Sequence, residues 1–185
     1  FAREAYLAVV DIDPNEHLKN TVKIDQFIHS DVVQFFSAFT SIRSMDRWQT
    51  WGEVCRKWRD QWPVCLPRYE DENEGINKYS FIKKLKDHLR ADSVVVSDAG
   101  SSYYVTSQAL KIRDQQRYIT SGAQADMGFS LPASIGIGFA SRDKNVVVIT
   151  GDGSFNTNIQ ELATIKANDI KTKFIILNNE GYLSI

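Results

Sequence analysis

Apolar and polar positions follow two different patterns along this chain, and the change falls near residue 75. Before it, the apolar groups are short or widely spaced. YLAVVDI (6–12) is a brief apolar run closed by Asp-Pro, which predicts a strand ending in a turn. A second short segment is expected at 21–24. SDVVQFFSAF follows, where Ser30 or Asp31 can cap a helix bearing Val33, Phe36 and Phe39. Over 45–62, Trp48, Trp51, Val54, Cys55 and Trp58 recur at helical spacing, as in a helix that packs an aromatic stripe on a neighbouring domain. Pro63, Pro67 and the acidic run 70–74 then mark a linker.

Beyond residue 75 the pattern becomes regular. Phe81, Leu85 and Leu89 predict a helix, and SVVV (93–96) a strand that ends in SDAGSS. A helical YYVTSQAL, a short strand RYIT and a small-residue helix in MGFSLPASIGIGFA come next. NVVVIT ending in GDGS, a helix NTNIQELATIKAN and the strand KFIILNN complete the series. Strands that are apolar at every position, alternating with helices, predict an α/β fold: a doubly wound parallel sheet covered on both faces. The expected organisation is the tail of another α/β domain at 1–38, a helical linker at 39–75 and the main domain at 76–185. Ligands of such sheets bind at the carboxyl ends of the strands. Three loops fall there: 97–102, 150–154 and 178–182.

Composition narrows the partners. Hydrophobic residues are 43% and charged residues 24% of the chain, a globular balance. A net charge of −1 gives no footprint for nucleic acid or an anionic membrane, and no apolar run is long enough to span a bilayer. Cys55 and Cys65 lack metal or redox spacing, which suits two reduced thiols in a cytoplasmic protein. The three histidines are scattered. The opening at Phe1 and the stop in EGYLSI lead to the expectation of a piece of a longer polypeptide.

The chemistry lies in the loops. In GDGS, Gly151 and Gly153 lack a Cβ, so the backbone is expected to turn sharply and approach a bulky anion. The following helix offers unpaired N–H groups and a positive dipole end to a phosphate. Asp152 would repel that phosphate unless a divalent cation lies between them, and Mg²⁺ prefers such hard oxygen ligands. One strand–helix–strand step later, Asn178-Asn179 brings a neutral amide to the neighbouring strand end, where Asn179 should stand beside Asp152. Gly181 is expected to turn the chain so that its carbonyl faces the metal. A Rossmann fingerprint and a Walker loop are both missing.

GDG followed by NN resembles the signature of enzymes dependent on thiamine diphosphate (thiamine pyrophosphate), and nearly the whole chain resembles the acetolactate synthase large-subunit group. The resemblance implies that Asp152, Asn179 and Gly181 bind Mg²⁺ and that Gly151, Gly153 and Ser154 meet the diphosphate. Gly100, Ser101 and Ser102 occupy the place of a second diphosphate loop, where acetolactate synthases usually carry Gln-His. Met127 matches the apolar residue that props the cofactor into its bent form. The Ala125 carbonyl would accept from the cofactor's 4′-amino group, and Tyr182 would lie near it.

By the same resemblance, the reaction is decarboxylation of a 2-oxo acid with carboligation, carried out by a homodimer or homotetramer. A simple decarboxylase, a polysaccharide tailoring enzyme and a non-catalytic subunit of the same fold are the alternatives. FAD stands as an open cofactor, since that group carries it on the central domain. No catalytic residue is expected within this chain. The required glutamate would come from an N-terminal domain of a partner subunit, and Glu4, Glu16, Glu53, Glu70, Glu72, Glu74, Glu161 and Glu180 all stand in other contexts. The fragment alone is expected to bind the cofactor weakly or not at all, and not to turn over.

Overall fold

Alternating strands and helices demand a sheet whose two faces are both covered, and the larger part of the molecule meets that demand. The computed structural model describes residues 3–19, 21–38, 46–71, 75–113 and 115–182. The chain divides into two compact units, Phe1–Trp58 and Arg59–Ile185.

In the first unit, β1 (Ala8–Asp11) pairs in parallel with β2 (Gln26–His29), in the register Val9 opposite Phe27. The second extended segment is therefore 26–29 rather than 21–24. The Asp25 carboxylate accepts from the Leu7 N–H at 2.8 Å, and this clamp sets the register just ahead of β2. Helix α1 (Val32–Ser37) starts at Asp31, whose Oδ1 accepts from the Val33 N–H at 2.8 Å. Val33 and Phe36 are exposed, while Phe39 lies outside the described residues. Helix α2 (Asp46–Gln61) carries the tryptophan stripe, with Met45 outside the described residues. Trp48, Trp51 and Trp58 are exposed, and the Trp51 and Trp58 rings meet edge to face at 5.5 Å.

The second unit contains α3 (Lys78–Leu85), β3 (Val94–Ser97), α4 (Gly100–Ala109), β4 (Arg117–Ile119) and α5 (Ser130–Ala140). Then come β5 (Val146–Gly151), α6 (Asp152–Thr157), α7 (Leu162–Ala167) and β6 (Thr172–Leu177). All four strands are parallel, in the order β4-β3-β5-β6. Side chains of a strand alternate between faces, and here both faces are buried. Val95, Val147 and Ile149 pack with Ile82 of α3 and Val105 of α4. On the opposite face Val94, Val96, Val146 and Val148 pack with Ala133 and Ile137 of α5. Each such fully buried side chain contributes about 1.5–3 kcal/mol.

Two helices end or break sooner than the periodicity predicts. Leu89 is buried but lies past the end of α3, in the turn that leads to β3. The segment after GDGS is not one continuous helix. It comprises α6, a 3-10 turn at Ile159–Glu161, and α7. The break falls at Asn158, whose Nδ2 donates to the Gly128 carbonyl at 2.8 Å and so draws the chain toward the loop before α5.

From β3 the chain runs outward to β4, and from β5 it runs the other way to β6. The direction of winding thus reverses between β3 and β5, and a crevice opens outside the carboxyl ends of the two strands. Among the described residues, no helix is long and apolar enough to cross a membrane.

Candidate functional site

A cleft occupies that crevice. Its walls are Ala99, Gly100, Ser101 and Ser102 after β3, Ala125 and Met127 before α5, Gly151, Asp152, Gly153 and Ser154 at the end of β5, and Leu177, Asn179, Gly181 and Tyr182 after β6. Every residue singled out in the three loops, together with Ala125 and Met127, borders this one space.

The β5 end is built differently from expectation. Gly151 is the last residue of the strand, with an extended backbone (φ −82°, ψ 159°), and α6 begins at Asp152 itself. No left-handed turn is needed there. A Cβ on Gly153 would lie 2.5 Å from Tyr182 Cε1, so the missing side chain admits the tyrosine ring rather than a sharp bend. Asp152, in the first turn of α6, also complements the helix dipole.

The β6 end supplies the turn. Asn178 Oδ1 accepts from the Glu180 N–H at 3.1 Å, and Glu180 takes the left-handed conformation (φ 56°). The residue that reverses the chain is thus Glu180, not Gly181. The turn folds the Gly181 carbonyl back onto the Asn179 amide. One amide terminal atom of Asn179 lies 3.2 Å from Asp152 Oδ1 and 2.8 Å from the Gly181 oxygen. Nitrogen at that position donates to both acceptors. Oxygen at that position leaves three oxygens facing one another, which a cation must hold together. Oxygens on adjacent corners of a Mg²⁺ octahedron, with metal–oxygen distances of about 2.0–2.1 Å, lie about 2.9 Å apart. The two spacings from Asn179, 3.2 and 2.8 Å, lie near that value when the amide oxygen faces the carboxylate and the carbonyl. Among the described residues no three His, Cys, Asp or Glu side chains cluster, so any ion here depends on amide and carbonyl oxygens.

The wall after β3 presents two serines with different commitments. Ser102 is buried, and its hydroxyl donates to the Ala99 carbonyl at 2.7 Å. The Ser101 hydroxyl accepts from Lys78 Nζ at 2.9 Å, so its own proton is free for another acceptor. The loop bearing Met127 is pinned from two sides. Ala125 sits in the left-handed region (φ 54°), its N–H donating to the Ser121 carbonyl at 2.6 Å. Gly128 (φ 80°) has no room for a Cβ, which would lie 2.7 Å from Asn158 Nδ2. Met127 is left partly exposed beside the cleft.

One residue of the architecture escaped sequence reasoning. Asp98, directly after β3, is fully buried. Its Oδ2 accepts from the Thr150 hydroxyl at 3.0 Å and from both the backbone N–H (3.3 Å) and the hydroxyl of Ser130. Asp98 therefore ties the ends of β3 and β5 to the start of α5, directly beneath the cleft. Oδ1 has no partner. The available signal was an acidic residue at the end of an all-apolar strand. Glu161 accepts from the Thr164 hydroxyl at 2.9 Å, and neither Glu161 nor Glu180 is among the residues bordering the cleft.

Comparison with known proteins finds matches along most of the chain. Residues 98–185 match the family model "Thiamine pyrophosphate enzyme, C-terminal TPP binding domain". The acetolactate synthase large subunit of Lactococcus lactis is 32% identical over 181 residues, 97% of this chain and 31% of that protein. The isozyme 2 large subunit of Escherichia coli is 31% identical over 97% of this chain and 32% of its own length. The E. coli isozyme 3 large subunit is 31% identical over 92% and 30%, respectively. The chain thus spans about a third of the length of these relatives. Residues 98–185 thus match the C-terminal domain of thiamine pyrophosphate enzymes, and over nearly its full length the chain is similar to acetolactate synthase large subunits.

Proposed function

We propose that this chain forms the diphosphate- and Mg²⁺-binding part of an enzyme that decarboxylates a 2-oxo acid and ligates the product to an acceptor, as its acetolactate synthase relatives suggest. The observation that carries this reading is the convergence of Asp152, Asn179 and the Gly181 carbonyl at two adjacent strand ends. Asp152 and the Asn179 amide oxygen would hold the cation, which in turn would hold the diphosphate against Gly153, Ser154 and the start of α6. Met127 and the Ala125 carbonyl would meet the rest of the cofactor. When bound, thiamine diphosphate supplies the nucleophilic carbon and electron sink that the 2-oxo acid reaction needs.

The cleft holds about 230 Å³, below the roughly 300–1,000 Å³ of complete small-molecule sites. That size suits a half-site closed by another domain, which in this reading also brings the glutamate. A homodimer or homotetramer of the full-length protein follows as the expected assembly. FAD has no residues assigned to it here. Ser101-Ser102 in place of Gln-His favours keeping a decarboxylase or polysaccharide tailoring enzyme as the second reading, and product analysis with pyruvate separates the two.

Calorimetric titration of thiamine diphosphate with and without Mg²⁺ tests the proposal. Binding that requires the cation is expected, and binding indifferent to Mg²⁺, or none even in the full-length protein, would refute it. A second test concerns the tyrosine against α6. Gly153→Ala gains up to about 1 kcal/mol of helix preference while its methyl group pushes out the exposed Tyr182 ring. Melting should therefore hold steady or rise while cofactor affinity falls. A melting temperature that drops sharply would show that Tyr182 cannot move aside.

A further inference from the structure

We infer that Lys78 is an additional anion-binding residue of this cleft, acting on the diphosphate through the Ser101 hydroxyl. This inference deepens the reading just given and rests on it. Lys78 is the first residue of α3, a position fixed by Asn77, whose side chain accepts from the Tyr79 and Ser80 N–H groups. A cation at a helix N-terminus opposes the helix dipole, and no acidic residue in that first turn offsets it. Local preference therefore does not explain the lysine. Its ammonium instead reaches Ser101, 23 positions away in sequence and the second residue of α4, at 2.9 Å.

The direction of this hydrogen bond matters. An ammonium can only donate, so Ser101 Oγ is the acceptor and its proton must turn elsewhere. Ser102 has already committed its proton to Ala99. Of the serine pair, Ser101, which borders both the cleft and the neighbouring cavity lined by Lys78, is thus the one with a proton left to donate to a ligand in the cleft, and a positive charge behind it strengthens that donation. Charge accounting points the same way. Asp152 is the one ionisable carboxylate among the residues bordering the cleft, and no lysine or arginine borders it. A divalent cation over one carboxylate leaves a single positive charge, less than a diphosphate monoester carries in negative charge. Backbone N–H groups add only partial charges. Lys78 supplies a full one.

The test uses Mg²⁺-dependent thiamine diphosphate binding to the full chain, measured across a salt series. Lys78→Gln keeps a donor for Ser101 and removes the charge. Weakening of about tenfold and a shallower salt dependence are expected, with Lys78→Arg restoring both. If Lys78 merely ties α3 to α4, Lys78→Gln will match the wild type in affinity and salt dependence, and the inference fails. Asp152→Ala serves as the comparison: its loss of binding beside an unaffected Lys78→Gln would leave the functional reading intact and overturn only the role of Lys78. Should the wild type bind no thiamine diphosphate, magnesium pyrophosphate decides separately. Binding weakened by Lys78→Gln would then support the anion role alone, and binding that is absent or insensitive would end it.

Discussion

Asp152→Ala is expected to abolish Mg²⁺-dependent thiamine diphosphate binding, lowering affinity by at least about a hundredfold, while the protein stays folded. The carboxylate is the only charged oxygen in the set formed with Asn179 and the Gly181 carbonyl. Without it, the cation would face a neutral amide and a neutral carbonyl, and the diphosphate would lose its bridge to the protein. The cost to the fold is small, because Asp152 lies half-buried at the start of α6 and its main structural contribution is to the helix dipole, about 0.5 kcal/mol. Titration with and without Mg²⁺, alongside circular dichroism of the unliganded protein, separates the two effects. Undiminished Mg²⁺-dependent binding in the variant would place the metal elsewhere.

The second large effect concerns stability. Asp98→Ala is expected to cost about 3 kcal/mol, because the buried Ser130 N–H and hydroxyl lose their acceptor and the Thr150 hydroxyl keeps only the Gly151 carbonyl. That corresponds to a fall in melting temperature of roughly 10 °C. Asp98→Asn keeps both the volume and an oxygen for these donors and should recover much of the loss, whereas Asp98→Leu, which fills the space without an acceptor, should not. Thermal melts of the three variants check this. An alanine variant that melts with the wild type would mean that the buried network adds nothing to the junction of β3, β5 and α5.

The strands of the larger unit were legible in the sequence because the central ones, VVV in β3 and VVVIT in β5, carry apolar runs with no polar alternation, which a sheet covered on both faces satisfies. Capping was legible to within one position: Ser30 or Asp31 could start the helix, and the structure selects Asp31, whose Oδ1 accepts from the Val33 N–H. The errors fall where local preference was outvoted. Strand β2 lies at 26–29 because pairing with β1 and the Asp25 clamp set the register. The helix after GDGS breaks at Asn158 because its side chain bonds a carbonyl of a distant loop. The reversal after β6 belongs to Glu180, although glycine is the residue that local reasoning assigns to such turns.

For the site, sequence by itself determined the inventory: the Asp152 carboxylate, the Asn179 amide, the hydroxyls of Ser101, Ser102 and Ser154, the Tyr182 phenol and the Met127 thioether, on loops set by the alternation of elements. Only the tertiary structure decided that these tips share one cleft, because the order β4-β3-β5-β6 puts the reversal of winding between β3 and β5. It also decided which hydroxyl is free, which residue turns the chain, that Asp98 joins β3, β5 and α5, and that Lys78 reaches Ser101. Hydrogen bonds between residues tens of positions apart leave no periodic trace in a chain. They depend on where the sheet brings its strand ends, and so they become visible only once the sheet is assembled.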